Sequence, residues 1–391
     1  MRDNIRVLHC PNLVGGNPQG LARAERELGL ASYAVAFRQN YLQYKTDEVL
    51  FAPNDHLVMQ EIKRWKFLWR VLRQFDIIHF NFGESLMPIR RGWGAANLPA
   101  KRKLNVFDWY REWLELQDLP LLKRMGKGIV VTFQGDDARQ GDYSRANFPI
   151  NIAQEVAEDY YAAGSDQHKR WRINRFATYA DRIFALNPDL LHVLPAQAQF
   201  MPYAHIDLQE WQPVKQEQGA STKPPVVLHA PSHRGAKGTR FVLEAVARLQ
   251  SEGIPFEFVL VEQLSNAEAR KLYAKADLLI DQLLAGWYGA LALELMALGK
   301  PVFCYIREAD LKFIPAAMRQ ELPLINITPD TLYTVLKDYL TVRRHELPAL
   351  GQRSRQYVES WHDPLKIAAQ LKAEYEAIMA SKRSGRANKG G

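Results

Sequence analysis

The sequence predicts an α/β protein built from two Rossmann-like, doubly wound domains that face each other across a cleft. Three observations predict it. Short runs rich in Val, Ile, Leu and Phe recur without strict alternation, as strands buried on both faces of a parallel sheet do. Helical patterns separate these runs. One polar stretch interrupts the alternation near the middle of a 391-residue chain, a length that suits about two domains.

In the first half the expected strands are residues 5–8, 76–80, 128–133 and 182–185; in the second half they are 226–229, 256–261, 277–280 and 301–305. Helices are expected at 239–250 and 290–298. Residues 208–225 carry Pro, Gly, Ser and Gln with almost no apolar side chain and read as a linker. The predicted organisation is therefore a first domain over 1–207, a linker over 208–224 and a second domain over 225–360. An amphipathic C-terminal helix over 361–380 packs back on the first domain, and a Ser/Lys/Arg/Gly-rich tail over 381–391 is disordered. Doubly wound sheets bind ligands at the carboxyl ends of their strands, so residues just after strands are the ones to weigh.

Composition narrows the function. With 47% hydrophobic and 24% charged residues the chain is neither disordered nor a coiled coil. Lys+Arg is 51 against Asp+Glu 43, a formal charge of +8. That excess suits a phosphate-bearing ligand, an anionic membrane surface or a nucleic acid. No nucleic-acid recognition motif is present, so no nucleic acid is expected as a partner. Cys10 and Cys304 sit in strand-like runs and read as buried free thiols in a reducing compartment. No Cys/His spacing suggests a metal site. Asp3 and Arg6 interrupt any apolar leader, and no run reaches the ~20 apolar residues of a membrane span. A cytoplasmic protein is expected, with peripheral attachment to the inner face of the membrane left open.

Two segments carry the chemistry. His229-Ala-Pro-Ser-His-Arg234-Gly-Ala-Lys237-Gly-Thr239 follows a strand and opens a helix. Gly235 and Gly238 let backbone approach a ligand, Thr239 can cap the helix, and Arg234 and Lys237 bring two cations to a helix N-terminus that already favours anions. The combination reads as a diphosphate site; the plain alternative is a basic surface turn. The second segment runs from Asp281 through Gly286-Trp287-Tyr288-Gly289-Ala290 to Glu294 and Gly299-Lys300-Pro301. Glu294 is the only charge on a helix apolar all round. A buried carboxylate needs a partner, either a lysine or the two hydroxyls of a ribose. The amides of Gly289 and Ala290 can hold a phosphate one turn away.

These two segments, in this order and about fifty residues apart, resemble the donor half of a retaining GT-B glycosyltransferase of family 4. That family carries an Arg/Lys pair after the first strand of its second domain and a Glu-(seven residues)-Glu motif. Tyr288, Gly289 and Glu294 match the motif's aromatic, Gly and second Glu. Gly286 stands where the family has its first Glu, which contacts hydroxyls of the transferred sugar. Asp281 lies nearby in sequence and can substitute for it; the alternative is that it caps the strand end. The resemblance extends to the first domain. Gly15 and Gly16 are similar to the Gly-Gly loop that faces the cleft, the alternative being a plain turn. Gln134-Gly-Asp136-Asp137-Ala-Arg139 is similar to His-Gly-x-Asp-x-Arg, with Gln134 in the His position. Asp136 and Asp137 bind acceptor or sugar hydroxyls in that reading; in the alternative they cap the loop and pair with Arg139. The stretch from Phe200 to Asp207 is similar to the family's segment before the linker.

The resemblance implies transfer of a sugar, with retention, from a nucleotide-diphosphate sugar as co-substrate to a glycan, lipid-linked or other hydroxyl acceptor. It implies no bound cofactor or metal. Arg234, Lys237 and Glu294 are the expected catalytic residues, and Gly235, Gly238, Gly286, Tyr288, Gly289 and Ala290 the donor-binding ones. Gly15, Gly16, Gln134, Asp136 and Asp137 lie on the acceptor side. Gly286 and Gln134 keep open an inactive nucleotide-sugar binding protein, and an epimerase or phosphorylase on the same fold is the other alternative. Residues 62–75 hold five cations and no acid, and a helix there aligns Ile62, Trp65, Leu68, Trp69 and Leu72. Trp93, Trp109 and Trp113, with Arg90, Arg91 and 101–103, extend the theme. An anionic bilayer suits such a helix; the plainer reading, preferred here, packs the stripe on the sheet.

Overall fold

The structure is a computed structural model that describes residues 4–39, 44–90, 106–162, 164–213, 223–264 and 266–387. The first unit holds strands β1 (Arg6–Cys10), β2 (Ala31–Ala36), β3 (Glu48–Val49), β4 (Ile77–Asn81), β5 (Gly128–Phe133), β6 (Arg182–Ala185) and β7 (Gln199–Phe200). Its helices are α1 (Asn17–Glu27), α2 (Leu57–Gln74), α3 (Val106–Leu114), α4 (Asp118–Arg124), α5 (Gly141–Asn147) and α6 (Ser165–Tyr179). The second unit holds β8 (Val226–His229), β9 (Glu257–Leu260), β10 (Leu278–Ile280), β11 (Val302–Cys304) and β12 (Ile325–Asn326). Between and after them run α7 (Arg234–Lys237), α8 (Thr239–Ser251), α9 (Asn266–Lys275), α10 (Ala290–Ala297), α11 (Ala316–Gln320), α12 (Leu332–Leu340), α13 (Leu347–Trp361) and α14 (Pro364–Ala387).

All pairings are parallel. The first sheet has the order β3-β2-β1-β4-β5-β6-β7 and the second β12-β11-β10-β8-β9. Each order reverses once, between β1 and β4 and between β8 and β10. The loops after those strands splay apart and leave a crevice, the place where such sheets take ligands. Those loops contain Gly15 and Gly16, residues 82–87, the Arg234–Lys237 turn and the Gly286–Gly289 turn. Both predicted cation and glycine motifs thus sit at the switch point of the second sheet.

The eight expected strands all form, within two residues of the expected ends. α10 is buried on every side, with Ala292, Leu293, Leu295 and Met296 fully enclosed, as its uniform apolarity required. α14 returns to the first unit and packs on α1 and β5. Tyr375 anchors it: its hydroxyl meets His79 Nδ1 at 2.7 Å and donates to Glu25 Oε1 at 3.1 Å. The helix runs to Ala387, so residues 381–387 are helical rather than part of a disordered tail; 388–391 lie outside the described residues.

Two other expectations need correction. Residues 208–213 are tied down: Trp211 is buried, Arg270 covers its ring at 4.1 Å, and the Arg355 guanidinium bonds the carbonyl oxygens of Leu208 and Trp211. One aromatic side chain anchors what composition reads as free linker; 214–222 lie outside the described residues. On α2 the face packed on the sheet carries Phe67, Leu68 and Val71, whereas Ile62, Trp65 and Trp69 are 43%, 45% and 57% exposed. The polar stem of Arg64 takes the buried place that the predicted stripe gives to its aromatics, donating to Leu86 O at 2.6 Å. Trp109 and Trp113 on α3 are exposed as well, while Trp93, Arg91 and 101–103 lie outside the described residues. No helix among the described residues is long and apolar enough to cross a membrane. Cys10 and Cys304 are buried free thiols.

Candidate functional site

The second sheet aims Lys237 and α10 at one point. Lys237 ends the short helix after β8, and its ammonium donates to Asp281 Oδ1 at 3.1 Å and Gln282 Oε1 at 2.9 Å. Asp281 Oδ2 accepts the Gly289 N–H at 2.9 Å, immediately before α10. A Cβ on Gly289 would lie 3.2 Å from Lys237 Nζ, so a side chain there would crowd the cation. Lysine, carboxylate and helix N-terminus therefore share one small space. Asp281, only 1% exposed, is held there as their counter-charge; it is not free to read a sugar.

Arg234 is not at this point. Its side chain is 59% exposed and forks onto Glu262, with Nε–Oε1 at 2.7 Å. Gly235 backs onto the first unit, where a Cβ would lie 2.7 Å from Glu155 O. Gly238 has φ +73° and closes the Arg234–Lys237 turn. Thr239 does not cap: Gly238 precedes the helix, and the Thr239 hydroxyl meets His229 Nε2 at 2.9 Å. Burial pushes the His229 imidazole down to about 4, so it is a neutral strut between β8 and α8.

The aromatic–glycine motif divides in two. Tyr288 is fully buried and its hydroxyl meets Tyr357 at 3.0 Å and His362 Nε2 at 2.9 Å, so it packs the second unit and touches no ligand space. At Gly286 φ is +80° and a Cβ would fall 2.6 Å from Arg307 Nη1. Arg307, paired with Asp310 at 2.9 Å, fills the space that a glutamate at this position would need. Glu294 lies one turn into α10 and is 4% exposed.

On the facing side, Gly15 and Gly16 have φ +61° and +70°, left-handed conformations that favour glycine. A Cβ on Gly15 would lie 3.7 Å from Ala290 Cβ, and one on Gly16 3.6 Å from His205 Cβ. The glycine loop therefore meets the N-terminus of α10 across the cleft, and His205 stands beside both. The acidic loop makes the internal contacts that its alternative reading describes. Asp137 accepts the N–H groups of Gln134 and Gly135 at 2.7–3.1 Å. Asp136 takes Arg139 at 3.0 Å and the hydroxyls of Tyr160 and Tyr161. Gln134 is buried and donates to Asn81 Oδ1 at 3.2 Å. Asp136, whose side chain is 32% exposed, and Gln134 Oε1 keep accepting capacity, whereas Asp137 is buried in its own loop.

Sequence reasoning missed the seam itself. Both ring nitrogens of His205, the indole N–H of Trp287, the amide of Gln19 and Asn17 Nδ2 are buried without a hydrogen-bond partner. Burial pushes His205 down to about 4, with the Ala290 backbone working against it. An unpaired buried polar atom costs about 1–3 kcal/mol, and His205, whose Cβ lies 3.6 Å from the Cβ position of Gly16, brings two of them beside the glycine loop. Only the positions before the linker and after β1 hinted at this. No set of His, Cys, Asp and Glu among the described residues is grouped to hold a metal ion. A hollow of about 760 Å³ in the second unit, against α13, contains no residue of the cleft loops.

Two parallel doubly wound sheets, their switch points facing across a seam, define the GT-B architecture. Comparison with solved structures agrees. The chain is similar to sucrose-phosphate synthase from Thermosynechococcus elongatus (TM-score 0.61, 15% identity, 97% of this chain and 100% of that one). It is similar to Anabaena HepE in complex with UDP-glucose (0.58, 11%, 95% and 99%). It is also similar to the catalytic domain of starch synthase IV from Arabidopsis thaliana bound to ADP and acarbose (0.55, 12%, 97% and 100%). The chain has the GT-B glycosyltransferase fold over nearly its whole length. No family model and no curated protein sequence matches it.

Proposed function

We propose that the protein transfers a glycosyl group from a nucleotide-diphosphate sugar to a hydroxyl of a glycan, lipid-linked or other acceptor, with retention. The observation that carries this reading is the Lys237 ammonium beside the Gly289 amide, opposite the Gly15–Gly16 loop. A diphosphate leaving group there gains the Lys237 cation and the N-terminal end of α10 as its charge develops, the Gly289 N–H itself being held by Asp281. One such preorganised group contributes about 3–4 kcal/mol to a transition state. The bond from anomeric carbon to diphosphate oxygen breaks, the acceptor oxygen bonds to the same face, and its proton passes to the departing diphosphate. Glu294 holds the ribose hydroxyls. Arg234 joins the diphosphate by leaving Glu262. The orphaned donors and acceptors of His205, Gln19 and Trp287 fit a ligand rich in hydroxyls. Structures of the same fold that contain UDP-glucose or ADP support a nucleotide donor.

The finer reading is a cytoplasmic protein seated on the inner face of an anionic membrane. Trp65, Trp69, Trp109 and Trp113 are exposed on α2 and α3, and Trp65 Nε1 joins the two helices through Tyr110 OH at 3.0 Å. Lys63, Lys66, Arg70 and Arg73 border them on α2, where Glu61 is the only acid. Aromatic and cationic side chains together suit an anionic bilayer interface.

A second reading, an inactive nucleotide-sugar binding protein, is favoured by Arg307 standing at Gly286. A thermal-shift screen of nucleotide-diphosphate sugars, followed by detection of released nucleoside diphosphate, separates the two. Saturation at 100 times Kd stabilises by about 2.7 kcal/mol, or roughly 5–11 °C for a domain of this size. A shift without release in the presence of any acceptor supports the inactive protein, and no shift with any donor removes both. Sedimentation with phosphatidylglycerol vesicles, lost on Trp65→Ala/Trp69→Ala, checks the membrane reading.

A further inference from the structure

A pocket of about 300 Å³ opens at the switch point of the first sheet. Asn12 follows β1, Arg38 follows β2 and Glu84 follows β4, so its floor is the carboxyl ends of three strands. α2 and α3 supply its walls through Gln60, Arg64 and Arg111. Three arginines face one acid. Arg64 is committed: it donates to Leu86 O and covers the Phe37 and Phe51 rings at 5.1 and 5.3 Å. Burial holds its guanidinium below the ordinary range, and the Arg111 charge pushes the same way. Arg38 reaches in from the rim, hydrogen-bonded to Gln60 Oε1 at 2.7 Å. Arg111 closes no ion pair among the described residues. The pocket is thus a concave site with excess positive charge.

Asn12 ties it to the cleft. Its Oδ1 accepts the Val14 N–H at 3.1 Å at the start of the glycine loop, and its Nδ2 reaches Glu84 Oε2 at 3.5 Å. Asn12 is three chain steps from Gly15, a span of at most ~11 Å, and Gly15 faces Ala290 at the N-terminus of α10. The Asn12 side of the pocket therefore borders the loop that faces α10.

We propose that this pocket seats the acceptor, and that the acceptor carries an anionic group, a phosphate or carboxylate, for Arg38 and Arg111. Glu84 and Asn12 then meet the hydroxyls between that anion and the donor. Glu84 is suited to this, because burial pushes its carboxyl up to about 7, where it can donate as well as accept. The inference rests on the glycosyl-transfer reading and adds the acceptor's chemistry to it. The anion can belong to a free sugar phosphate or to a lipid-linked phosphate delivered over the α2–α3 face.

The test uses the full chain. Glucose 6-phosphate is titrated by phosphorus NMR into wild type, Arg38→Ala/Arg111→Ala and Lys237→Met, with glucose as the neutral control. Arg38 is exposed and neither it nor Arg111 closes an ion pair among the described residues, so the double variant keeps the fold, checked by its melting temperature. Binding of glucose 6-phosphate, weakened at least tenfold by the arginine pair and kept in Lys237→Met, supports the pocket. Equal affinity in wild type and the arginine variant overturns it, as does wild type that binds glucose 6-phosphate no better than glucose while also ignoring phosphatidylglycerol vesicles. Vesicle binding that needs Arg38 and Arg111, without glucose 6-phosphate binding, assigns the anion to lipid. UDP-glucose and ADP-glucose are titrated in parallel: their failure to bind a wild type that takes glucose 6-phosphate sinks the donor reading alone.

Discussion

Replacing Lys237 by methionine separates two jobs that the structure gives one side chain. The ammonium is 15% exposed and its partner Asp281 1% exposed. Without the cation, Asp281 retains only the Gly289 N–H. Stranding a buried carboxylate costs about 3–5 kcal/mol, and the partial solvent contact of Lys237 argues for the lower end, ~3 kcal/mol. In a unit of about 150 residues, near the size of the second one, that lowers Tm by roughly 6–12 °C. Adding Asp281→Asn removes the stranded charge, so the double variant regains most of the lost stability. Turnover follows a different course. Loss of the cation from the leaving diphosphate costs about 3–4 kcal/mol, or ~10²–10³ in kcat, and Asp281→Asn does not restore it. The four proteins of this cycle are compared by scanning fluorimetry and by release of nucleoside diphosphate. A Lys237→Met protein that melts within about 2 °C of wild type refutes the buried-pair argument. A double variant with wild-type turnover refutes the chemical role.

Three further outcomes are expected. Gly286→Ala, forced into φ +80° and against Arg307, destabilises by about 1–3 kcal/mol and lowers Tm; an unchanged Tm would mean that Arg307 yields freely. Glu84, ordinarily ionising near 4.5, is pushed up to about 7 by burial, so between those values the folded state holds a proton that the unfolded state has released. Stability from this group is full below about pH 4.5 and declines towards pH 7, and denaturant titrations across that range should show the decline in wild type and lose it in Glu84→Gln. Tyr375→Phe strips one partner each from buried His79 and Glu25, costs about 1–3 kcal/mol, and should raise hydrogen exchange in α14 before it does so in the second sheet.

Strands were legible because a strand buried on both faces leaves an apolar run whose length alone marks it, as Gly128–Phe133 and Val226–His229 show. Those that escaped notice were the Ala-rich Ala31–Ala36 and three edge strands of two residues each, which need only a neighbour's free edge. The cleft was legible from glycines with positive φ and from Lys237, whose reach is short. Arg234 was not: a long exposed side chain goes to the nearest carboxylate, and Glu262 lies beyond any local pattern. Tyr288 and Asp137 match a motif yet spend their polar atoms inside the protein. The pocket of the first unit was invisible in the sequence because the loops after β1, β2, β3 and β4 and the helices α2 and α3 supply it from about 100 positions of chain.

The occupied state of Lys237 sets what the site can do. An ammonium has three N–H donors, and here Asp281 and Gln282 take two of them. The third remains for a phosphate oxygen, and because Asp281 and Gln282 fix the other two, its direction is fixed as well. Asp281 also holds Gly289, so the carboxylate locks the lysine to the start of α10. A diphosphate therefore meets a preorganised donor without having to order a flexible side chain, which removes an entropic cost of about 0.5–1.5 kcal/mol from binding. The carboxylate exacts a penalty in return, since it places a negative charge beside the anion. Arg234, half in solvent and free to turn from Glu262, is the cation that can offset it when the donor arrives. On this reasoning Arg234 tunes donor affinity and salt dependence, whereas Lys237 fixes the position at which the leaving group's charge develops.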